Sequence, residues 1–237
     1  IIVDNGSDEA ATLDYLKRIQ SDSVRVIEAP IPFNYSKLNN LAVEIATGEY
    51  VCLMNNDIEI ISPDWMEEML GFATQADVGC VGARLWYPDD TLQHAGVVLG
   101  VLGVAAHAFK GQKRCNPGYF ARAWLHQSYS AVTAACLMIS RKKYEEVDGL
   151  DELFAVAFND VDFCIRVREA GYRNVWSPYA EMCHHESASR GYGHNPEKQR
   201  RFKGEVDNML NRWGKVLLTD PAYSPNLTLQ NETFARR

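Results

Sequence analysis

The stretch "EYVCLMNND", residues 49–57, sets an unbroken apolar run against three polar residues. A strand apolar on both sides is one whose two faces are both covered, as happens inside a parallel sheet flanked by helices. The neighbouring segments agree. "IIV" and "VRVIEAP" are strand-like, and "VGCVGARLWY" is a further strand. Between them, "EAATLDYLKRIQ" carries Leu13, Leu16 and Ile19 at helical spacing. "SKLNNLAVEIATG" has a Ser start, an apolar stripe through Leu38, Leu41, Ala42 and Ile45, and a Gly48 stop. "SPDWMEEMLGFAT" opens with Ser62 and Pro63, a good N-cap and first-turn pair. Strands alternating with helices predict an α/β fold with a doubly wound, mostly parallel sheet.

The second half changes character. "PDDTLQHAGVVLGVLGVAAHAFKG" reads as glycine-punctuated strands, the small antiparallel part of the fold. "CNPGYFARAWLHQSYS" has no clean period, and its Tyr119 and Trp124 would suit an aromatic platform for a sugar ring. "VTAACLMIS" is a strand and "RKKYEEVDG" a short helix. "NDVDFCIRVREAGY" is a helix with Asn159 fitting its N-cap and Asp162 at the positive end of the dipole. "RNVWSP" and "AEMCHH" read as two strands, and "PEKQRRFKGEVDNMLNRWG" as a charged helix. From about Thr219 the chain is Pro- and Asn-rich and is expected to be extended. No repeat or linker divides it, so residues 1–218 are expected to form one domain followed by a tail over 219–237.

Of the 237 residues, 46% are hydrophobic, and the formal net charge is -7. That charge argues against nucleic-acid binding and allows peripheral membrane contact at most, because both need a basic surface. No apolar run approaches a membrane span, and no stretch reads as a signal peptide, so none is expected. Cys52, Cys80, Cys115, Cys136, Cys164 and Cys183 lie far apart, with no CxxC. They read as reduced core residues of a cytoplasmic protein. The sequons at Asn34, Asn226 and Asn231 are taken as chance.

Few residues are placed to do chemistry. Asp57 ends a buried strand, where ligands of open α/β sheets bind. It could hold a divalent cation, or close a polar turn; the local sequence fits both equally. Asp4 also ends a strand, and "DNGS" alone is a good turn. Asp160 opens a helix; it is either a cap or, facing a cleft, a general base. His184 and His185 beside Glu186 invite a metal, but Cys183, His184 and Glu186 match no usual zinc spacing. The basic stretch "HNPEKQRRFK" reads as a solvated helix face.

Five stretches, in order, resemble the family 2 glycosyltransferases of the GT-A fold. They are "IIVDNGSDE", "FNYSKLNNLAVEIATGEYVCLMNNDIEI", "SAVTAACLMISRKKYEEVDGLDE", "FNDVDFCIRVREAGYRNVWSPYAE" and "HHESASRG". "YPDDTLQHAGVVLG" resembles the bacterial branch that builds rhamnose-containing and O-antigen polysaccharides. The resemblance implies an inverting transfer from a nucleotide-diphosphate sugar to a glycan or lipid-linked glycan. Asp57 and His184 would hold Mn²⁺ or Mg²⁺, and Asp160 would be the base. Asp4, Asn5, Asn34, Asn39, Asn55, Asn56, Ala134 and Ala135 would line the nucleotide and donor. Asn55 stands where the family has the first Asp of its Asp-x-Asp motif, and Asn159 where it has a Glu. In the family a strand and helix, with a stretch like "VSIIIPTYN", come before "IIVDNGS". We therefore expect a truncated domain or a segment of a larger, multidomain protein, a sheet one strand short beside residues 1–4, and weak nucleotide binding. Two other readings are a non-catalytic transferase-like binding subunit and a sugar-nucleotide nucleotidyltransferase.

Overall fold

Strand and helix alternate from the first residues, as the periodicity requires. The computed structural model describes residues 1–185 and 195–237. β1 (Ile2–Asp4) pairs in parallel with β2 (Val26–Glu28), and α1 (Ala10–Ile19) connects them. The apolar stripe of α1 is only half covered: no residue of this helix is buried. α2 (Tyr35–Glu44) is better anchored, burying Leu38 and Val43. Its cap is Asn34, whose Oδ1 accepts from Lys37 N, and not the expected Ser36. Ser36 is buried and donates to Phe154 O, so it serves packing across the fold.

β3 (Tyr50–Met54) leads through the Asn-Asn-Asp turn into a strand the sequence did not announce, β4 (Ile58–Ile60). α3 (Trp65–Ala73) starts later than expected, with Asp64 before it. Ser62 Oγ instead accepts from Glu181 N. β5 (Val78–Trp86) is buried along its whole length. β6 (Leu92–His94) pairs with β5, and β7 (Val97–Leu99) forms an antiparallel hairpin with β8 (Ala105–His107). Gly96, at φ +91°, carries the chain from β6 into β7, where a Cβ would lie 2.1 Å from the Tyr129 ring. The aperiodic stretch settles as β9 (Gln127–Tyr129) after a 3₁₀ turn over 119–121.

β10 (Cys136–Ser140) and α4 (Arg141–Glu146) follow. Then come α5 (Asn159–Glu169), β11 (Arg173–His184) and α6 (Pro196–Leu217). β11 is one strand where two were expected; an irregularity between Trp176 and Glu181 absorbs the Ser-Pro interruption. The main sheet runs β3-β10-β5-β11-β4, with β6 and β9 attached at its side. β3, β5 and β11 share one direction. The antiparallel part comes from β10, inserted between β3 and β5, and from β4, β6, β9 and the β7–β8 hairpin. Among the described residues, the β1–β2 pair is not hydrogen-bonded to this sheet.

β5 explains the layering. One face packs Val81, Ala83 and Leu85 on Met69 and Ala73 of α3. The other side joins a larger cluster with Phe163 and Val167 of α5 and Met209 and Trp213 of α6. Asp162 ties α5 to α6. It is fully buried and accepts from Arg166 Nε, Arg212 Nη1 and Trp213 Nε1, each at 2.8 Å. Its part is thus that of a buried anchor beyond the dipole role read from the sequence. Asn159 is likewise inside the helix start, not before it. The preceding residue is Phe158, in the left-handed region at φ 61°.

The expected extended tail is folded. Tyr223, Leu227 and Phe234 enter the core cluster, and Leu227 bridges Arg236 antiparallel. Buried Asp220 holds the tail down by accepting from Leu99 N and Ser130 Oγ. Apolar residues inside a Pro- and Asn-rich stretch were the overlooked signal. All six cysteines are free; Cys80, Cys136 and Cys164 are buried, but Cys115 is exposed. No helix among the described residues is long and apolar enough to cross a membrane.

Candidate active site

The ends of β3, β10 and β11 converge on one group of polar side chains. Asp57, in the turn after β3, puts Oδ1 3.0 Å from His184 Nε2 at the end of β11. That oxygen is buried and has no hydrogen-bond partner among the described residues. The two atoms are close, but not aligned as donor and acceptor. Gln93, itself buried, explains why. Its Oε1 lies 2.6 Å from His184 Nδ1, and its Nε2 is 3.5 Å from His184 O. This double grip assigns the ring proton to Nδ1 and leaves Nε2 as the lone-pair nitrogen. Asn55 Nδ2 donates to that nitrogen at 3.2 Å. Two lone-pair atoms facing each other in a mostly buried place suit a cation between them. The carboxylate and imidazole donors fit a divalent ion.

A second carboxylate lies on the same chain of contacts. Asn55 N donates to Ala135 O at 3.0 Å, and Ala134 N donates to Asp160 Oδ2 at 3.1 Å. Asp160 Oδ1 accepts from Val161 N at 2.8 Å. Each oxygen keeps a further lone pair, because a carboxylate has about four acceptor sites. Tyr35 OH donates to Ala134 O at 2.7 Å. Burial, and then the negative charge of Asp160, push the Tyr35 phenol far above its ordinary value, so it stays protonated. The loop before Asp160 is pinned from α6: buried Glu205 accepts from Val156 N at 2.8 Å and Ala157 N at 3.2 Å. This holds the carboxylate at a fixed place on the strand ends.

A family model described as Glycosyl transferase family 2 matches residues 1–147, more than half of the chain. The chain belongs to this family. It is 34% identical over 236 residues to the O-antigen biosynthesis protein RfbC of Myxococcus xanthus, covering 97% of this chain and 18% of that protein. It is 53% identical over 237 residues to the uncharacterized protein y4gI of Sinorhizobium fredii (strain NBRC 101917 / NGR234), covering 99% of this chain and 26% of that one. The chain thus spans about a quarter or less of these relatives' length. A solved mannosyltransferase, PcManGT from Pyrobaculum calidifontis in complex with GDP-Man and Mn²⁺, shares the fold at TM-score 0.59 and 16% identity. The match covers 90% of this chain and 54% of that one. The fold is the GT-A fold of the glycosyltransferases.

Within this family 2 domain, the expected site residues fall into two groups. Asn55, Asp57, Ala134, Ala135, Asp160 and His184 come together as described. The others are spent on local structure. Asp4 Oδ1 accepts from Ser7 N at 2.9 Å and Ser7 Oγ at 2.7 Å. The Ser7 hydroxyl, and next its amide, hold the Asp4 carboxyl below its usual value. Asn5 Nδ2 donates to Ala29 O and Ile31 O, clasping the loop after β2. Asn34 caps α2 and reaches Glu152 O, and Asn39 bonds Tyr35 O in its own helix. Asn56 is exposed in the turn. Glu186 and the start of the basic stretch lie outside the described residues.

Sequence reasoning missed Tyr35, Gln93, His94 and Glu205. His94 is fully buried, and its Nε2 accepts from Thr133 N at 3.3 Å. Burial, and then the neighbouring His107 and His184, lower its pKa well below the ordinary value, so it is a neutral ring behind the site. Each is a single polar residue in its segment, which carries no local signal until the fold gives it a partner.

Proposed function

We propose that this domain is a metal-assisted, inverting glycosyltransferase acting in the synthesis of a surface polysaccharide. The observation that carries the reading is the Asp57–His184 pair: a buried, unbonded carboxylate oxygen 3.0 Å from an imidazole nitrogen oriented by Gln93. Asp57 and His184 would hold the cation, with Asn55 yielding its hydrogen bond to His184. Mixed carboxylate and imidazole ligation favours Mn²⁺ over Mg²⁺, which prefers oxygen shells. When bound, the cation neutralises the diphosphate leaving group as a Lewis acid.

Asp160 takes the proton of an acceptor hydroxyl with a free carboxylate lone pair. The hydroxyl oxygen attacks the anomeric carbon, the bond to the diphosphate breaks, and the configuration inverts. The Ala134 and Val161 amides aim the carboxylate, and Tyr35 holds Ala134 in place. Ala134 and Ala135, small and buried, let a donor sugar approach the backbone. Asp4 would serve the nucleotide through its second oxygen. The likeness to RfbC supports O-antigen-type chemistry, with a glycan or lipid-linked glycan as acceptor. A cytoplasmic site of action and a place in a larger multidomain protein are part of this proposal.

Donor hydrolysis tests the reading without knowledge of the acceptor. Incubation with a panel of nucleotide sugars and Mn²⁺ should release nucleotide from one of them, and Asp160→Asn should abolish the release. Release unchanged in Asp160→Asn would reject the assignment of the base.

A further inference from the structure

β4 and β11 present a second set of donors beside Asp57 and His184. The two strands pair antiparallel with Cys183 opposite Glu59. His185 N donates to Asp57 O at 2.9 Å and continues the ladder one residue further. This register gathers the Cys183 thiol, the His185 imidazole and the Glu59 carboxylate. One ligand atom from each lies within 4.8 Å of the others. Glu59 Oε2 is 3.1 Å from His185 Nε2. The catalytic reading uses none of these three side chains.

An exposed His–Glu contact needs no thiol beside it and contributes little by itself. The sulfur is what sets this group apart. Around a tetrahedral Zn²⁺, bonds of about 2.0–2.3 Å place ligand atoms roughly 3.5 Å apart. The present spread closes to that by rotations of side chains that are exposed or half-buried. A sulfur, nitrogen and oxygen set is too soft for Mg²⁺ or Ca²⁺ and suits Zn²⁺. Three protein ligands leave a fourth position for water, the pattern of open zinc sites. The surroundings are mixed in charge. Asp90 and Arg114 act on the Cys183 thiol with opposite sign, and Arg114 is engaged by Asp90 and Glu181.

We propose that Glu59, Cys183 and His185 form a second cation site, for Zn²⁺ or a cation of similar softness, separate from the Asp57–His184 pair. A cation there would cross-link β4 to β11 next to both proposed catalytic-metal ligands. That consequence rests on the function proposed above; the site itself does not.

Cobalt titration of the intact chain, with a non-thiol reductant, reads the site directly. A Co²⁺–thiolate bond gives a charge-transfer absorption in the near ultraviolet, which carboxylate and imidazole ligands do not. The band should saturate, yield to Zn²⁺, and persist in Cys115→Ser and in Asp57→Ala, where it should saturate at one equivalent. It should vanish in Cys183→Ser and need about tenfold more Co²⁺ or above in His185→Ala and Glu59→Gln. These last two change partly exposed side chains, so they keep the test sound if Cys183→Ser folds poorly. Absence of the band in the wild type, or its retention in Cys183→Ser, would overturn the proposal. So would unchanged affinity in both His185→Ala and Glu59→Gln, which would mean a lone cysteine. Loss of the band in Asp57→Ala would show one site where two are proposed.

Discussion

The ends of β1 and β3 read alike in sequence: each apolar strand runs into a polar turn containing Asp and Asn. In the fold they differ. At β1, Asp4 is bonded by Ser7 and both Asn5 amide hydrogens are used on backbone carbonyls. At β3, Asp57 keeps a buried oxygen without a hydrogen-bond partner among the described residues, and the neighbouring His184 is held by Gln93. A polar group already satisfied is part of the scaffold. One buried and left unsatisfied costs stability, about 1–3 kcal/mol for a neutral group and more for a charge, unless a ligand completes it. The comparison supports the chemistry proposed for β3, β10 and β11; at the β1 end, Asp4 alone is proposed to reach the nucleotide, and Asn5 serves the frame.

The largest test falls on the reactive end. Asp160→Asn should lower transfer by about 10²–10⁴, the usual worth of a general base, while nucleotide-dependent stabilisation stays. A variant that lost both would show that Asp160 builds the pocket, not the chemistry. Next comes the support behind it. Asp162→Ala removes a buried carboxylate that joins α5 to α6 and should cost about 3 kcal/mol, the low end for a broken buried pair, since Arg166 and Arg212 stay partly in water. Denaturant unfolding reads this, and a cost below about 1 kcal/mol would mean the anchor is dispensable.

The frame end should respond less, and in stability alone. Asn5→Ala frees two loop carbonyls and should cost about 1 kcal/mol, with nucleotide binding intact; lost binding at unchanged stability would move Asn5 into the pocket. The smallest effect is a pH dependence at Asp4. Its pKa is lowered in the fold, chiefly by the Ser7 hydroxyl. Its contribution is therefore fully present above the ordinary value of 3.8 and is lost as pH falls through the lower folded value. The stability gap between wild type and Ser7→Ala, under about 1 kcal/mol near pH 6, should shrink on acidification below pH 4. A gap independent of pH would mean the hydroxyl acts on the backbone only.

The alternation of strand and helix was legible in the apolar runs and in the α2 stripe, but the run "YVCLM" overstated burial: β3 ends the sheet, with Val51 and Leu53 buried and Met54 exposed. Helix starts were less so. Asn34, not Ser36, caps α2, because Ser36 finds a better partner in Phe154 O across the fold. Phe158 precedes α5 in a left-handed conformation that no propensity favours. For Asp57 the residues alone left turn and ligand equal, and only the family resemblance separated them. Gln93 and Glu205 were invisible, since their partners lie far away in sequence.

The most direct test is thermal unfolding of the chain with UDP, dTDP, GDP and CDP, each with Mn²⁺ and with EDTA, in wild type and Asp57→Ala. A nucleotide at 100 times its dissociation constant adds about 2.7 kcal/mol, or roughly 5–10 °C for a domain of this size. A shift is expected with one nucleotide, needing Mn²⁺ and disappearing in Asp57→Ala. A shift of equal size in EDTA, or in Asp57→Ala, would contradict the metal assignment.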